Sequence, residues 1–453
     1  MSQEQMDHAD LLLRLMETRQ YGKLREEALE MNPADIAAVM DGLEDEESLK
    51  LFRILPKSLV ADVFPLMDDD TQQFIIMSLS TREASNIIDN LMSDDAADVL
   101  EEMPANVVKR LLANTSPETR HDVNMLLQYP EDSAGSVMTV EFMDLKARMT
   151  VEQAITRIRR IGLDSETVNI CYVLDETRQL LGTVALRYLL IQDNDALIGD
   201  IMNENVISIN TTTDQEEAAR LFQKYDFTAM PVVDHENRLV GIITIDDIID
   251  ILQEEATEDI EKMAAIIPTE KPYMKTGILD TYKKRIPWLL FLMLSATFTG
   301  SIITRFESAL SAYVVLTAYI PMLMDTAGNA GSQASVSIIR GLSLNEIEFK
   351  NLFVVVWKEI RVAVMCGLTL AAANFVKLQV VDRLPMMVAL VVCITLVVVI
   401  AFAKTIGCVL PMIANRIGFD PAVMASPLIT TIVDAVALLV YFTLATNILH
   451  LAV

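Results

Sequence analysis

Cysteine is scarce and scattered in this 453-residue chain: Cys171, Cys366, Cys393 and Cys408 form no CxxC pair. The four histidines show no HxxxH spacing. Neither a disulfide framework nor a zinc site is therefore expected, and inert buried thiols are the plain reading. A Walker-type loop, a GxGxxG run and a nucleophile paired with a base are also missing, which argues against an enzyme. The start, "MSQEQMDHAD", has no basic segment leading into an apolar stretch, so no cleaved signal is expected and the soluble body should stay in the cytosol. Positive charge is in deficit: 36 Lys+Arg face 63 Asp+Glu, a net of −27. Such a surface excludes nucleic acid as a natural partner and favours cations.

The charge is not spread evenly. Residues 1–270 carry 22 Lys+Arg against 54 Asp+Glu, a net of −32, whereas residues 271–453 carry 14 against 9, a net of +5. The composition thus predicts a multidomain membrane protein, with an acidic soluble body followed by a polytopic α-helical transmembrane domain rich in Leu, Val, Ile, Ala and Met. Five apolar segments, near 286–304, 309–339, 354–376, 385–414 and 422–449, predict five crossings and a C-terminus outside. Lys271, Lys275, Lys283, Lys284, Arg285, Arg340, Lys350, Lys358, Arg361 and Arg416 then fall on the cytosolic side, against Arg305, Lys377 and Arg383 outside. Lys404, towards the inner end of the fourth segment, is expected to snorkel.

One carboxylate stands inside the last apolar run. The uncharged stretch from Ala422 to Leu449 has 28 residues, 12 before Asp434 and 15 after it, so a helix here places Asp434 near mid-membrane. A charge at that depth costs at least a few kcal/mol and marks an ion path by default. The plainer alternative is pairing with a buried Lys or capping by hydroxyls. In the second segment, "PMLMDTAGNAGSQAS" (321–335) holds a proline, two glycines, Asn329, Ser332 and Gln333. It is expected to break a helix where protein or a water-filled path surrounds it, or else to form a helix-packing seam of small residues.

Two repeats organise the soluble body. Short helical blocks, "NPADIAAVMDGL", "PKSLVADVFPLM", "TREASNIIDNL" and "SDDAADVLEEM", each open on a start signal and continue with apolar residues at helical spacing, as stacked short helices do. Their acidic residues read equally well as a solvated, capping face or as cation ligands. Further on, "ICYVLDETRQLLGTV" (170–184) and "MPVVDHENRLVGIIT" (230–244) align at an offset of 59 or 60, each a strand, a turn and a strand between helical blocks. That tandem resembles a pair of CBS domains. The resemblance implies that Thr244 and Asp247 of "GIITIDD" face a nucleotide ribose, with Arg187 and Phe227 nearby and ATP as the candidate ligand. The first unit has "GTVALRY" instead.

The order of parts, with "PMLMDTAGNAGSQAS", "GFDPAVMASPLITTIVDAVALLVYF" and "DQEEAARLFQKYDF", resembles the MgtE magnesium channels and transporters over essentially the whole chain. The resemblance divides the chain into an acidic helical-repeat N domain (1–130), first and second CBS units (131–199 and 200–253), a plug-like connecting helix (254–284) and five transmembrane helices (285–453). It implies a homodimer in the cell (inner) membrane. The Mg2+ path would run at the dimer interface past Asp434, lined by Gly328, Asn329, Ser332, Thr431 and Ala435. Ser332 departs from the Asn frequent in the family. Regulatory Mg2+ would sit at contacts among N domain, CBS pair and connecting helix. That points to Asp94, Asp95, Asp98, Asp214, Glu216, Asp226, Asp247, Asp250, Glu255, Glu258 and Asp259, with Asp420 at the membrane face. Bound Mg2+ would bridge these carboxylates and close the pore. Two other readings stay open: an ion-coupled secondary transporter with Asp434 as a proton or sodium relay, and a membrane-tethered nucleotide sensor, against which the polar second segment argues.

Overall fold

The computed structural model describes residues 11–269, 273–307, 311, 313–424 and 426–450. Lys271, one of the predicted cytosolic charges, and part of the start of the second apolar segment lie outside them. The chain forms two compact units, Met1–Leu252 and Gln253–Val453.

The first unit opens with short helices stacked on one core that runs from Leu12 to Val123. Sequence-coded caps punctuate them. Asn32 Oδ1 accepts from the Ala34 N–H at 3.0 Å just before Pro33. Ser80 and Glu83 form a reciprocal capping box at the start of Thr81–Ile88, and Ser116 caps Pro117–Leu126. No single helix of this length could bury its apolar stripe alone, so the stack is the stable solution.

Two three-stranded sheets follow. In the first, Phe142–Lys146 pairs parallel with Thr167–Leu174, which pairs antiparallel with Leu180–Ala185. The second repeats the pattern with Ile209–Asn210, Ala229–Val233 and Leu239–Thr244. Even the turns repeat: Asp175 accepts from the Thr177 and Gln179 N–H groups, and Asp234 from those of Glu236 and Arg238. Arg178 and Asn237 take the left-handed conformation at equivalent places, with φ of 66° and 58°. The two turns bond each other, Leu180 N to Asn237 O and Leu239 N to Arg178 O, both at 3.0 Å. The helix Ser93–Glu101 joins the second sheet's core through Ala97, which is buried with Met138, Ile209 and Phe222.

From the last strand the chain enters one continuous connecting helix, Ile245–Met263, which begins before the expected boundary at 254, while residues 278–284 belong to the first long helix. Five long helices follow in the second unit: Ile278–Arg305, Ile320–Ser343, Leu352–Val380, Met386–Arg416 and Ser426–Leu449. Among the described residues, Ile278–Arg305, Met386–Arg416 and Pro421–Leu449 are long and apolar enough to cross a membrane. The fourth helix is the hub, packed against the second, third and fifth.

The expected break in the second segment does not occur. Pro321 stands at the first turn of an uninterrupted 24-residue helix, where its missing N–H costs nothing. The small residues serve the packing-seam alternative. A Cβ on Gly407 would lie 2.2 Å from the Gly331 carbonyl oxygen, and one on Gly331 would crowd Ile429 and the Ala403 carbonyl, so both glycines are needed for the helices to approach this closely. Lys404 does not snorkel either. It is 5% exposed, and its Nζ lies 3.4 Å from Glu359 Oε2 on the third helix. A paired interior ammonium avoids the cost of an isolated buried charge.

Candidate cation sites

Asp434 lies in the middle of the fifth helix and is half-buried. Asp325 of the second helix is close enough to act on it electrostatically. Asp325, Asn329 and Gln333 recur at four-residue spacing and are exposed on one face of that helix, while Ala327, Gly328, Ala330 and Gly331 are buried on the other. Gly328 packs under the Thr430 side chain, where a Cβ would be crowded. Ser332, Thr431 and Ala435 are half-buried, and the Thr431 hydroxyl donates to the Pro427 carbonyl at 3.0 Å. Asp325 therefore does not stand at a helix break. It sits on a regular helix, on the same polar stripe as Asn329.

The second candidate site is in the soluble unit. Asp94, Asp95 and Asp98 come from the helix Ser93–Glu101, whose first residue docks on the CBS pair: Ser93 Oγ donates to Glu141 Oε2 at 2.7 Å and accepts from the Val140 N–H at 3.1 Å. Asp247 comes from the first turn of the connecting helix. Thr244 stands just before that helix, and Asp247 Oδ2 accepts from both the Thr244 hydroxyl (2.8 Å) and its N–H (3.3 Å). These two candidates for a nucleotide ribose thus hold each other.

The electrostatics of this junction are one-sided. Burial, then Asp247 and Asp95, raise the Asp94 pKa well above the carboxylate range. Burial with Asp247, Asp246 and Glu141 pushes Asp95 up to about 6. Asp247 also reaches about 6, mainly through burial, against the lowering effect of its bonds to Thr244. Asp98 is exposed as a whole residue, yet burial among protein atoms, then Asp95, Asp247, Glu101 and Asp69, raise it too. Glu166 of the first CBS unit, half-buried, rises to about 7 through burial and the charges of Asp246, Asp247, Asp95 and Glu141. Among the described residues no three His, Cys, Asp or Glu side chains are gathered tightly enough to grip an ion directly. The junction is a field of partly dehydrated carboxylates, suited to an ion that keeps part of its water.

The sign of the resulting pH effect follows from linkage. A carboxyl whose folded pKa is raised adds stability that is complete below its unfolded value near 4. That stability is lost as pH climbs through about 6 for Asp95 and Asp247 and about 7 for Glu166. Each shift is on the order of 3 kcal/mol, and their sum is less, because protonating one group relieves its neighbours. In Mg2+-free full-length protein, the opening free energy of Ser93–Glu101 amides should fall by roughly 2–3 kcal/mol between pH 5 and pH 8. A value that stays level or rises over that range would contradict the one-sided field.

The remaining predicted ligands are more dispersed. Asp214 caps the helix Gln215–Tyr225 by accepting from the Glu216 N–H at 2.9 Å. Glu216 pairs with Arg220 at 2.5 Å, and Asp226 closes the same helix in the left-handed conformation. Asp250 is exposed on the connecting helix, and burial with Asp246 raises it. Glu255, Glu258 and Asp259 are half-buried farther along. Glu258 and Asp420 share a resident cation: Lys262 Nζ lies 2.6 Å from Glu258 Oε1 and 2.7 Å from Asp420 Oδ2. Burial alone would lower the Lys262 pKa, but the two carboxylates outweigh it and raise it. Arg187 is exposed, stacked over Tyr188 at 5.4 Å, and Phe227 stacks on Tyr225 at 5.5 Å. Sequence reasoning missed Glu141, Asp246, Glu166 and Lys262. Lys262 left a local signal in its four-residue spacing from Glu258, and Asp246 in its place beside Asp247 in "GIITIDD".

Family models match three stretches: the MgtE intracellular N domain at 31–132, a CBS domain at 198–254, and MgtE, described as a divalent cation transporter, at 320–444. The chain is 38% identical over 442 residues to "Magnesium transporter MgtE" of Thermus thermophilus, covering 96% of this chain and 98% of the relative. The chain belongs to the MgtE family. The Bacillus subtilis member is 31% identical, covering 99% of each chain. The soluble unit resembles the crystal structure of the cytosolic domain of the Mg2+ channel MgtE in complex with ATP, at 39% identity and a TM-score of 0.50, covering 53% of this chain and 99% of that one. This MgtE-family chain is thus a multidomain membrane protein, an acidic soluble unit joined to a helical membrane unit.

Proposed function

We propose that this chain is a Mg2+-selective channel for magnesium uptake, closed when cytosolic Mg2+ binds its soluble unit. Family membership supports Mg2+ as the cargo. The observation that carries the gating is the junction of Asp94, Asp95, Asp98, Asp247 and Glu166, where the named charged neighbours that shift each group are all carboxylates. Such a junction is strained without a divalent cation and relaxed with one. Mg2+ sheds water reluctantly, so a half-buried Asp434 beside the Asp325 and Asn329 stripe suits an ion that passes with much of its hydration shell. The working assembly in this reading is a homodimer in the cell membrane. Five crossings leave the N-terminus cytoplasmic and the C-terminus outside, two Asp434 carboxylates face each other across the path, and ATP binds at the CBS pair.

The test is Mg2+ flux into liposomes carrying the purified chain, with internal Mg2+ varied. The channel reading expects flux that falls as internal Mg2+ rises, at a reversal potential set by the Mg2+ gradient alone. A reversal potential that follows the proton or sodium gradient would instead establish coupled transport with Asp434 as relay.

A further inference from the structure

The C-terminal end of the connecting helix is fastened at several points within the membrane unit, and one fastening is ionic. Lys262 Nζ bridges Glu258 on its own helix and Asp420. Asp420 uses its other oxygen to accept from the Ala422 N–H at 2.7 Å, which sets the turn Pro421–Met424 that leads into the Asp434 helix. Beside it, Met263 packs with the buried Ile339 and Ala422. The helix then ends at Ala265 in the left-handed conformation. Two later bonds, Glu261 Oε2 from the Thr269 N–H (2.8 Å) and Lys284 Nζ to the Pro268 carbonyl (2.7 Å), lead the chain to the first long helix.

Glu258 and Asp420 were expected as Mg2+ ligands, yet in this structure one ammonium serves both. The arithmetic of charge is uneven, since two carboxylates and one ammonium leave a net of one negative charge, whereas a divalent cation in the ammonium's place would neutralise both carboxylates. An ammonium also has three donors and no preference for octahedral geometry, so it holds the two oxygens without fixing them.

We propose that Lys262 is a positioning residue that stands in for a divalent cation. It ties the connecting helix to the turn before the Asp434 helix when Mg2+ is low, and it competes with Mg2+ for Glu258 and Asp420. The competition rests on the gating reading above; the tether does not. Because Mg2+ must displace a resident charge, Lys262 raises the cytosolic Mg2+ needed to act at this point. Because the tether persists without Mg2+, it also keeps the Asp434 helix coupled to the connecting helix in the conducting state.

Full-length protein in liposomes carrying Lys262→Met or Lys262→Arg separates charge from bulk, since Met keeps most of the stem. Two measurements are made: amide exchange of residues 256–266 and 417–424 without Mg2+, and flux against internal Mg2+. For Lys262→Met we expect several-fold faster exchange in both segments, and half-inhibition of flux at several-fold lower internal Mg2+. Lys262→Arg should stay close to the parent in both. Exchange in Lys262→Met equal to the parent's would overturn the tether, as would equal changes in Met and Arg. An unshifted half-inhibition would overturn the competition. Flux in the parent that ignores internal Mg2+ would overturn the gating reading and the competition together, and the exchange comparison would still decide the tether.

Discussion

Asp434→Asn should reduce Mg2+ flux to near the background of empty liposomes while leaving expression, folding and helix packing intact. The substitution removes a charge and keeps the volume, in a half-buried place where the flanking residues Val433 and Ala437 carry the helix packing. A mid-membrane carboxylate costs a few kcal/mol to keep ionised, a cost recovered only where a cation visits. Losing that attraction for a dication should lower its occupancy by two orders of magnitude or so, about 2.7 kcal/mol in the binding scale. Asp325→Asn should lower flux by a smaller factor. Asp325 is exposed on the second helix yet acts on Asp434 electrostatically, so it contributes field without being the closest group to the hydrated ion. Flux in Asp434→Asn equal to the parent's would take this carboxylate out of the ion path.

What the sequence revealed of these sites depended on whether the signal was local. Asp434 stands out in the sequence because it is one carboxylate in an otherwise uncharged apolar run, where the readings are an ion path or a pairing with Lys or hydroxyls. The tandem CBS units were legible because the same turn chemistry recurs, down to Asp175 and Asp234 each accepting two N–H groups. In the second membrane segment glycine and proline read as breakers or as a packing seam, and the structure forms the seam. Pro321 instead begins the helix, and Gly331 lets the fourth helix approach its carbonyl at Gly407. Backbone propensity yields here to packing. Glu166 and Glu141 left no trace at all. They reach the Asp94 junction only because the Ser93 helix docks on the CBS pair, a contact between residues 48 apart in the chain. Asp214 and Asp226 show the limit of composition, since acidic residues at the two ends of one helix also have an ordinary local role there, which a sequence so rich in acid does not reveal.

Neutralising the junction should flatten the response of flux to internal Mg2+. Replacing Asp94, Asp98 and Asp247 by Asn removes the ligands that Mg2+ would bridge and also the repulsion that opens the junction without it, so the two effects oppose each other in setting the resting state. They do not oppose each other in the Mg2+ dependence, because both remove the difference between the bound and free states. Two unit charges about 4 Å apart interact by roughly 4 kcal/mol at an effective dielectric near 20. A gate switched from 1:99 to 99:1 needs about 5.5 kcal/mol. A few close pairs in this junction are therefore enough to drive it. Asp247→Asn also weakens the bond that Asp247 accepts from the Thr244 N–H at 3.3 Å, just before the connecting helix, at a cost of about 1 kcal/mol. The Asp94→Asn, Asp98→Asn double variant avoids that complication and should already show most of the flattening. Glu258→Gln belongs to a different element, since its partner is Lys262, and it should shift the half-inhibiting Mg2+ rather than abolish the response. Protease protection of the soluble unit by Mg2+ should weaken in parallel with flux in the double and triple variants. If both assays keep the parent's Mg2+ dose-response, the junction carboxylates are structural and take no part in sensing, and the sensor lies elsewhere.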